Sequence, residues 1–165
     1  MSRDPAECVS PPLMKERIPL FLDKEGRWFH EGFEITHERT VQLFSRSLVK
    51  EPDGGYSIRI GSECARVQVE DTPYVVKSLT VQTGDGGKPR EYLLHLSDGR
   101  MEFLDPGTLA TRTDNVLYCR VRGGSERARF LRPAYYHLCS HIEVDEKGVD
   151  YWLPWRGRLF RLGSF

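Results

Sequence analysis

The sequence predicts an α+β fold built by duplication, and three observations predict it. Short, strand-like apolar runs dominate the chain and are punctuated by Gly and Pro. Two stretches depart from that rhythm with helical spacing, one near 36–48 and one opening at Arg132-Pro133. Set 95 residues apart, the two helical regions and the strands after them fall into register. Ile35 falls on Phe130, Leu43 on Leu138, Ser45 on Ser140 and Val49 on Val144. Glu51 falls on Glu146, Tyr56 on Tyr151, Ile58 on Leu153 and Val67 on Leu162. Each copy reads strand, turn, strand, helix, strand, strand, and such self-similarity marks an internal repeat.

The elements follow in order. Residues 1–17, with Pro5, Pro11 and Pro12, lack periodicity and read as a disordered tail. Residues 18–72 form an N-terminal subdomain. In it, Asp23–Gly26 is a turn, "RWFH" a strand, Glu31-Gly32 a second turn and "FEI" another strand. Thr36 is the expected N-cap of the first helix, with Glu38 favourable in its first turn. Val41, Phe44 and Leu48 give that helix its stripe, and "EPDGG" ends it because Pro52 cannot continue a helix. "YSIRI" and "ARVQV" follow as strands.

Residues 73–165 form the second subdomain, mostly β. "YVVKSLTVQ" and "REYLLHL" are strands joined by the Gly-rich "TGDGGKP". Asp98-Gly99 predicts a hairpin, since positive φ suits the turns whose twist matches their strands. "VLYCRVR" and "RARFL" flank Gly123-Gly124, Pro133 sits at the first position of the second helix, and "DYWLP" and "RLFRL" close the chain as strands.

With 165 residues, 39% hydrophobic and 29% charged at zero formal net charge, the composition is that of an ordinary globular protein. Zero net charge argues against bulk attraction to nucleic acid or an anionic membrane, so neither is an expected partner. No apolar run approaches the roughly 20 residues of a membrane span, and the N-terminus lacks a signal-peptide pattern. The four cysteines, Cys8, Cys64, Cys119 and Cys139, show no paired spacing and are expected to stay reduced. The expected compartment is the cytoplasm. Charge is uneven, however: residues 118–165 carry eight arginines and one lysine against five acids.

That excess concentrates in "YCRVRGGSERARFLRPAYYHL", where five arginines lie between Arg120 and Arg132. Backbone N–H groups of Gly123 and Gly124 could converge on an anion, and arginine grips phosphate in a bidentate fork. The helix after Arg132 would aim its own N–H groups at the same place. Arg122 and Arg132 are therefore the leading ligand-binding candidates. Arg127 accompanies them, Tyr135 and Tyr136 would flank a ring, and Asp71 is the junction acid. The plainer reading is a hairpin turn whose arginines point to solvent.

Other constellations carry less. His137 and His141 lie four apart, a zinc-compatible spacing, but no third ligand is placed and no metal is expected. His30 and Glu31 precede a turn without a nucleophile beside them, Trp28 being the core anchor. Glu70 and Asp71 either cap a turn or pair with arginines of the second half. Trp152, Trp155 and Phe160 alternate with arginines as a half-buried terminal strand does.

"GRWFHEGFEITHERTVQLFSRSL", "VQVEDTPYVV" and "VRGGSERARFLRPAYYHL" resemble the three signature blocks of DUF1285, a bacterial family of unknown function. The resemblance runs in order from about Ile18 to Gly163. It implies a duplicated core whose C-terminal half is pleckstrin-homology-like, matching seven expected strands and one helix after Pro73. It also implies a ligand site at the interface of the halves, for a nucleotide-based molecule in signal transduction. The chain departs from the pattern at His137, where an acid is expected. The function expected is a non-catalytic, anion- or nucleotide-binding regulatory module without cofactor. The alternatives are an adaptor that binds a protein through the pleckstrin-like half, and a hydrolase whose residues the sequence does not place.

Overall fold

A computed structural model describes residues 20–112 and 114–163, and the tail expected at 1–17 lies outside them. The chain divides into two compact units, Met1–Pro73 and Tyr74–Phe165.

In unit 1, β1 (Leu20–Leu22), β2 (Trp28–His30) and β3 (Phe33–Glu34) form a meander. Glu31 and Gly32 join β2 to β3 with φ of 51° and 82°, the double positive-φ turn of a tight hairpin. Helix α1 (Glu38–Arg46) follows, then a second meander of β4 (Leu48–Lys50), β5 (Tyr56–Ile60) and β6 (Glu63–Val69). The meanders join through a parallel pair, Leu20 opposite Val67 and Leu22 opposite Val69, giving the order β3-β2-β1-β6-β5-β4. Leu20, Leu22, Trp28, Leu48, Ile58 and Val67 are buried together as its core residues.

Two details differ from the sequence reading. The N-cap is His37, whose Nδ1 accepts the Thr40 N–H at 3.4 Å, and Thr36 lies one residue outside. Helix α1 stops at Arg46, and Leu48 belongs to β4, where it pairs with Ile58. The stop therefore precedes "EPDGG", which instead closes the β4–β5 hairpin through Glu51 N–H to Gly55 C=O at 2.8 Å.

In unit 2, β7 (Tyr74–Thr83), β8 (Pro89–Leu96) and β9 (Met101–Phe103) form one meander. β10 (Ala110–Thr111), β11 (Leu117–Val121) and β12 (Glu126–Phe130) form another. Again the first strand and the last run parallel, Ala128 opposite Tyr74, and the order is β10-β11-β12-β7-β8-β9. The two six-stranded sheets thus share one topology.

Helix α2 (Arg132–Cys139) has Leu131 as its cap and Pro133 as its second residue, one place later than expected. A third sheet, β13 (Glu143–Val144), β14 (Tyr151–Trp155) and β15 (Arg158–Gly163), completes the unit. Unit 2 thus has nine strands among its described residues, because β10 and β13 are only two residues long and carry no readable alternation. The third sheet is tied to the second by Tyr92 Oη–H to Pro154 C=O, 3.0 Å, and Arg156 N–H to Arg90 C=O, 2.8 Å.

The 95-residue repeat survives at the level of register. Ile58 pairs with Ala65 and, 95 residues on, Leu153 pairs with Phe160. Ile60–Glu63 becomes Trp155–Arg158 in the same way. The fold is α+β with duplication.

Candidate functional site

The β11–β12 hairpin is built by strict alternation. Leu117, Cys119 and Val121 face inward with Ala128 and Phe130, all buried. The opposite face therefore carries Tyr118, Arg120, Arg127 and Arg129. Pairing sets Tyr118 against Arg129 and Arg120 directly against Arg127. Arg112, just beyond β10, lays its guanidinium 5.1 Å from the Tyr118 ring centre, and Arg127 lies 5.9 Å from the same ring. Arg120 and Arg127 are exposed, and neither makes an ion pair among the described residues.

The Gly-Gly turn is assembled differently from the expected cradle. Arg122, Gly123 and Gly124 all have positive φ, at 56°, 65° and 90°. The turn spends N–H groups on itself: Gly124 N–H bonds Val121 C=O at 3.1 Å and Ser125 N–H bonds Arg122 C=O at 3.3 Å. The Arg122 N–H goes to Glu102 Oε2 at 2.8 Å. Gly124 presents a carbonyl to Arg120 Nη1, 3.3 Å away.

Arg122 and Arg132 are not brought together. Arg122 opens the turn at one end of β12 and Arg132 follows its other end, and five extended residues between them span about 16 Å. Arg122 is instead held over Tyr74, its Cζ 5.5 Å from the ring centre, with Nη1 3.4 Å from the phenol oxygen. The same Nη1 is 3.6 Å from Asp98 Oδ2, and Arg100 Nε is 3.7 Å from that oxygen. Asp98 is fully buried, and Arg122 and Arg100 bring counter-charge to its Oδ2 at ion-pair rather than hydrogen-bond distance. Arg132 is exposed at the start of α2.

Tyr135 and Tyr136 meet edge-on, their centroids 5.4 Å apart, and Tyr136 is 67% exposed. A hydrogen bond with Cys139 is the main cause raising the Tyr135 pKa. Asp71 is half-buried in unit 1. Its neighbour Glu70 accepts the Lys24 N–H at 2.9 Å, as a turn cap does.

The lesser constellations also find places. His137 and His141 have ring centroids 5.5 Å apart, and burial, then His137, lowers the His141 pKa. No group of three metal-ligating side chains forms among the described residues. His30 and Glu31 sit on the β2–β3 hairpin, with Trp28 fully buried behind them. On β14 the buried residue is Leu153, while Trp152 and Trp155 are half-buried, and Trp155 meets Phe160 edge-on at 5.9 Å. Cys119 and Cys139 are free, and burial pushes Cys119 up to about 12. Cys64 departs from the expected reduced state: it is exposed on β6 and disulfide-bonded.

Sequence reasoning passed over Arg120, Arg112 and Tyr118 as site residues. The signal for Arg120 was present: counting outward from a four-residue loop, Val121 faces Glu126, so Arg120 must face Arg127.

Comparison with known proteins finds a family likeness for the first part of the chain. Residues 5–72 match the model for the "Domain of unknown function (DUF1285), N-terminal domain". A crystal structure of a DUF1285 family protein from Silicibacter pomeroyi DSS-3 superposes with a TM-score of 0.68 at 24% identity, covering 89% of this chain and 80% of that one. A second, from Shewanella baltica OS155, gives 0.57 at 21% identity, covering 75% of this chain and 93% of that one. At these identities the two structures speak to fold. No curated protein matches the chain. The matched stretch takes in the first of the three signature blocks, and over that stretch the chain is similar to this family. No helix among the described residues is long and apolar enough to cross a membrane.

Proposed function

We propose that the chain is a non-catalytic regulatory module that binds a phosphate-bearing small ligand on the outer face of the β11–β12 ribbon. The observation that carries this is the register of Arg120 against Arg127. Like charges directly opposite one another destabilise a strand pair. An oxyanion between the two guanidiniums would convert that repulsion into charge-assisted hydrogen bonds, the fork geometry arginine provides best. Arg112, exposed and laid over the buried Tyr118 ring, extends the surface. The nucleotide class, the signalling role and the cytoplasmic location belong to this proposal as the chemistry and setting in which such a site would serve. A second reading, the protein-binding adaptor, is favoured by one observation: Met101 and Phe103 are 58% and 50% exposed on edge strand β9.

Calorimetry with inorganic phosphate, pyrophosphate and nucleotides tests the first reading. Losing one charge-assisted contact removes roughly 1.5–3 kcal/mol, so Arg120→Ala or Arg127→Ala should weaken binding about tenfold or more. Arg132→Ala, at the far end of β12, should bind as the parent does. A parent that binds none of the ligands, or Arg120 and Arg127 variants that bind as well as it, ends the proposal.

A further inference from the structure

The same helix–meander segment occurs in both units, and its last strand is treated differently in each. In unit 1 the outer edge of β6 is covered by β1 in parallel, Leu20 beside Val67 and Leu22 beside Val69. In unit 2 the matching strand is β15, with Leu162 standing where Val67 stands. β15 closes its sheet, and no strand lies beyond it among the described residues. We propose that this edge receives an extended segment of a partner protein, laid parallel to β15 as β1 is laid on β6, apolar along its length and acidic opposite Arg158.

Edge strands are ordinarily kept short, because a long one offers a row of backbone donors and acceptors to any passing strand. The edges at β3, β10 and β13 are two residues long, and those at β4 and β9 three. β15 has six residues, enough to template a strand. Leu159 on it is 49% exposed and gives an incoming apolar side chain a neighbour. Charge selects the occupant. β15 bears Arg158 and Arg161 and no acid, and Arg161 is already bonded to Asp150 Oδ1 at 2.6 Å. Arg158 is exposed and makes no ion pair among the described residues. A second copy would bring arginines to arginines, whereas a strand carrying one carboxylate meets a waiting cation. Main-chain bonding would supply affinity, and the Arg158 pair would supply direction.

The test uses the full chain, labelled with ¹⁵N, and the peptide acetyl-Glu-Thr-Ile-Thr-Leu-Phe-Leu-amide, which ends on the sequence of β1. Saturable binding by calorimetry is expected, with slowed amide exchange along β15. Proline in place of the central threonine removes a ladder donor and should weaken binding about tenfold or more. Arg158→Glu, an exposed change beside a turn, should weaken it as well, and lysine for glutamate in the peptide should restore it. The proposal is overturned by absence of binding, by protection appearing at β6 or β9 instead, or by a self-associated chain whose β15 amides are protected without peptide. It stands or falls independently of the arginine face on β11–β12.

Discussion

Two buried carboxylates show how single residues hold this fold. Asp98 sits in the β8–β9 turn, where its Oδ1 accepts the Arg100 N–H at 3.0 Å while Arg122 and Arg100 stand over Oδ2. Removing the carboxylate leaves Arg122 against Tyr74 without its counter-charge. Asp98→Asn should therefore cost about 1–3 kcal/mol, and Asp98→Ala more, read as lower midpoints in urea. An unchanged midpoint for both would show that the cluster does not stabilise unit 2. Glu51 plays a comparable part in unit 1, accepting the Ser57 hydroxyl and Arg59 Nη2, the latter at 3.0 Å. The Ser57 hydrogen bond, then that of Arg59, holds its pKa below the ordinary carboxyl value. A carboxyl depressed in the folded state contributes stability in full above its unfolded pKa, and loses it as pH falls through the folded one. The parent should thus lose melting temperature on acidification below about pH 4.3, with a shallower loss in Glu51→Gln.

Among the elements, α1 depends on what it leans against. Nine residues are too few for a stable isolated helix, and only Ser45 of the nine is buried. Its anchor is Trp28, which meets Phe44 edge-on at 5.5 Å and donates its indole N–H to Ser45 Oγ at 3.0 Å. Ser45→Ala would leave a buried indole N–H without a partner and should cost about 1–3 kcal/mol, with a shifted Trp28 emission. Ser45→Thr, which keeps the oxygen, should cost less, and equal losses would point to steric fit rather than the hydrogen bond. Both helices and the long hairpins were legible in the sequence because their signals are local: a stripe, a proline, an Asp-Gly pair. The end of α1 was not, since Leu48 continues the helical stripe while its pairing with Ile58 draws it into β4. The cap moved from Thr36 to His37 because an imidazole nitrogen can accept an N–H as a hydroxyl does. The parallel joins of β1 to β6 and β7 to β12 link residues about 50 apart, and no local pattern encodes them.

At the scale of the whole molecule, the arginine excess was visible in the sequence but its partition was not. Arg122 and Arg132 looked like neighbours because only nine residues separate them, yet a strand between them carries them apart. Asp98 passed as a turn residue because its partner Arg122 is distant in sequence. The two units each have a sheet and a core of their own, with Trp28 fully buried in one and Leu138 in the other. Trp28→Ala should cost about 3–5 kcal/mol and Leu138→Ala about 2–5, since each removes a large, fully enclosed side chain. If each core answers for its own unit, native-state amide exchange will separate the two effects. Trp28→Ala should speed exchange along β1, β5 and β6 while leaving β7, β8 and β12 near parent rates, and Leu138→Ala should do the reverse. Equal acceleration of both sheets by either change would mean that the chain opens as one cooperative body, and the division into two separately stabilised units would have to be abandoned.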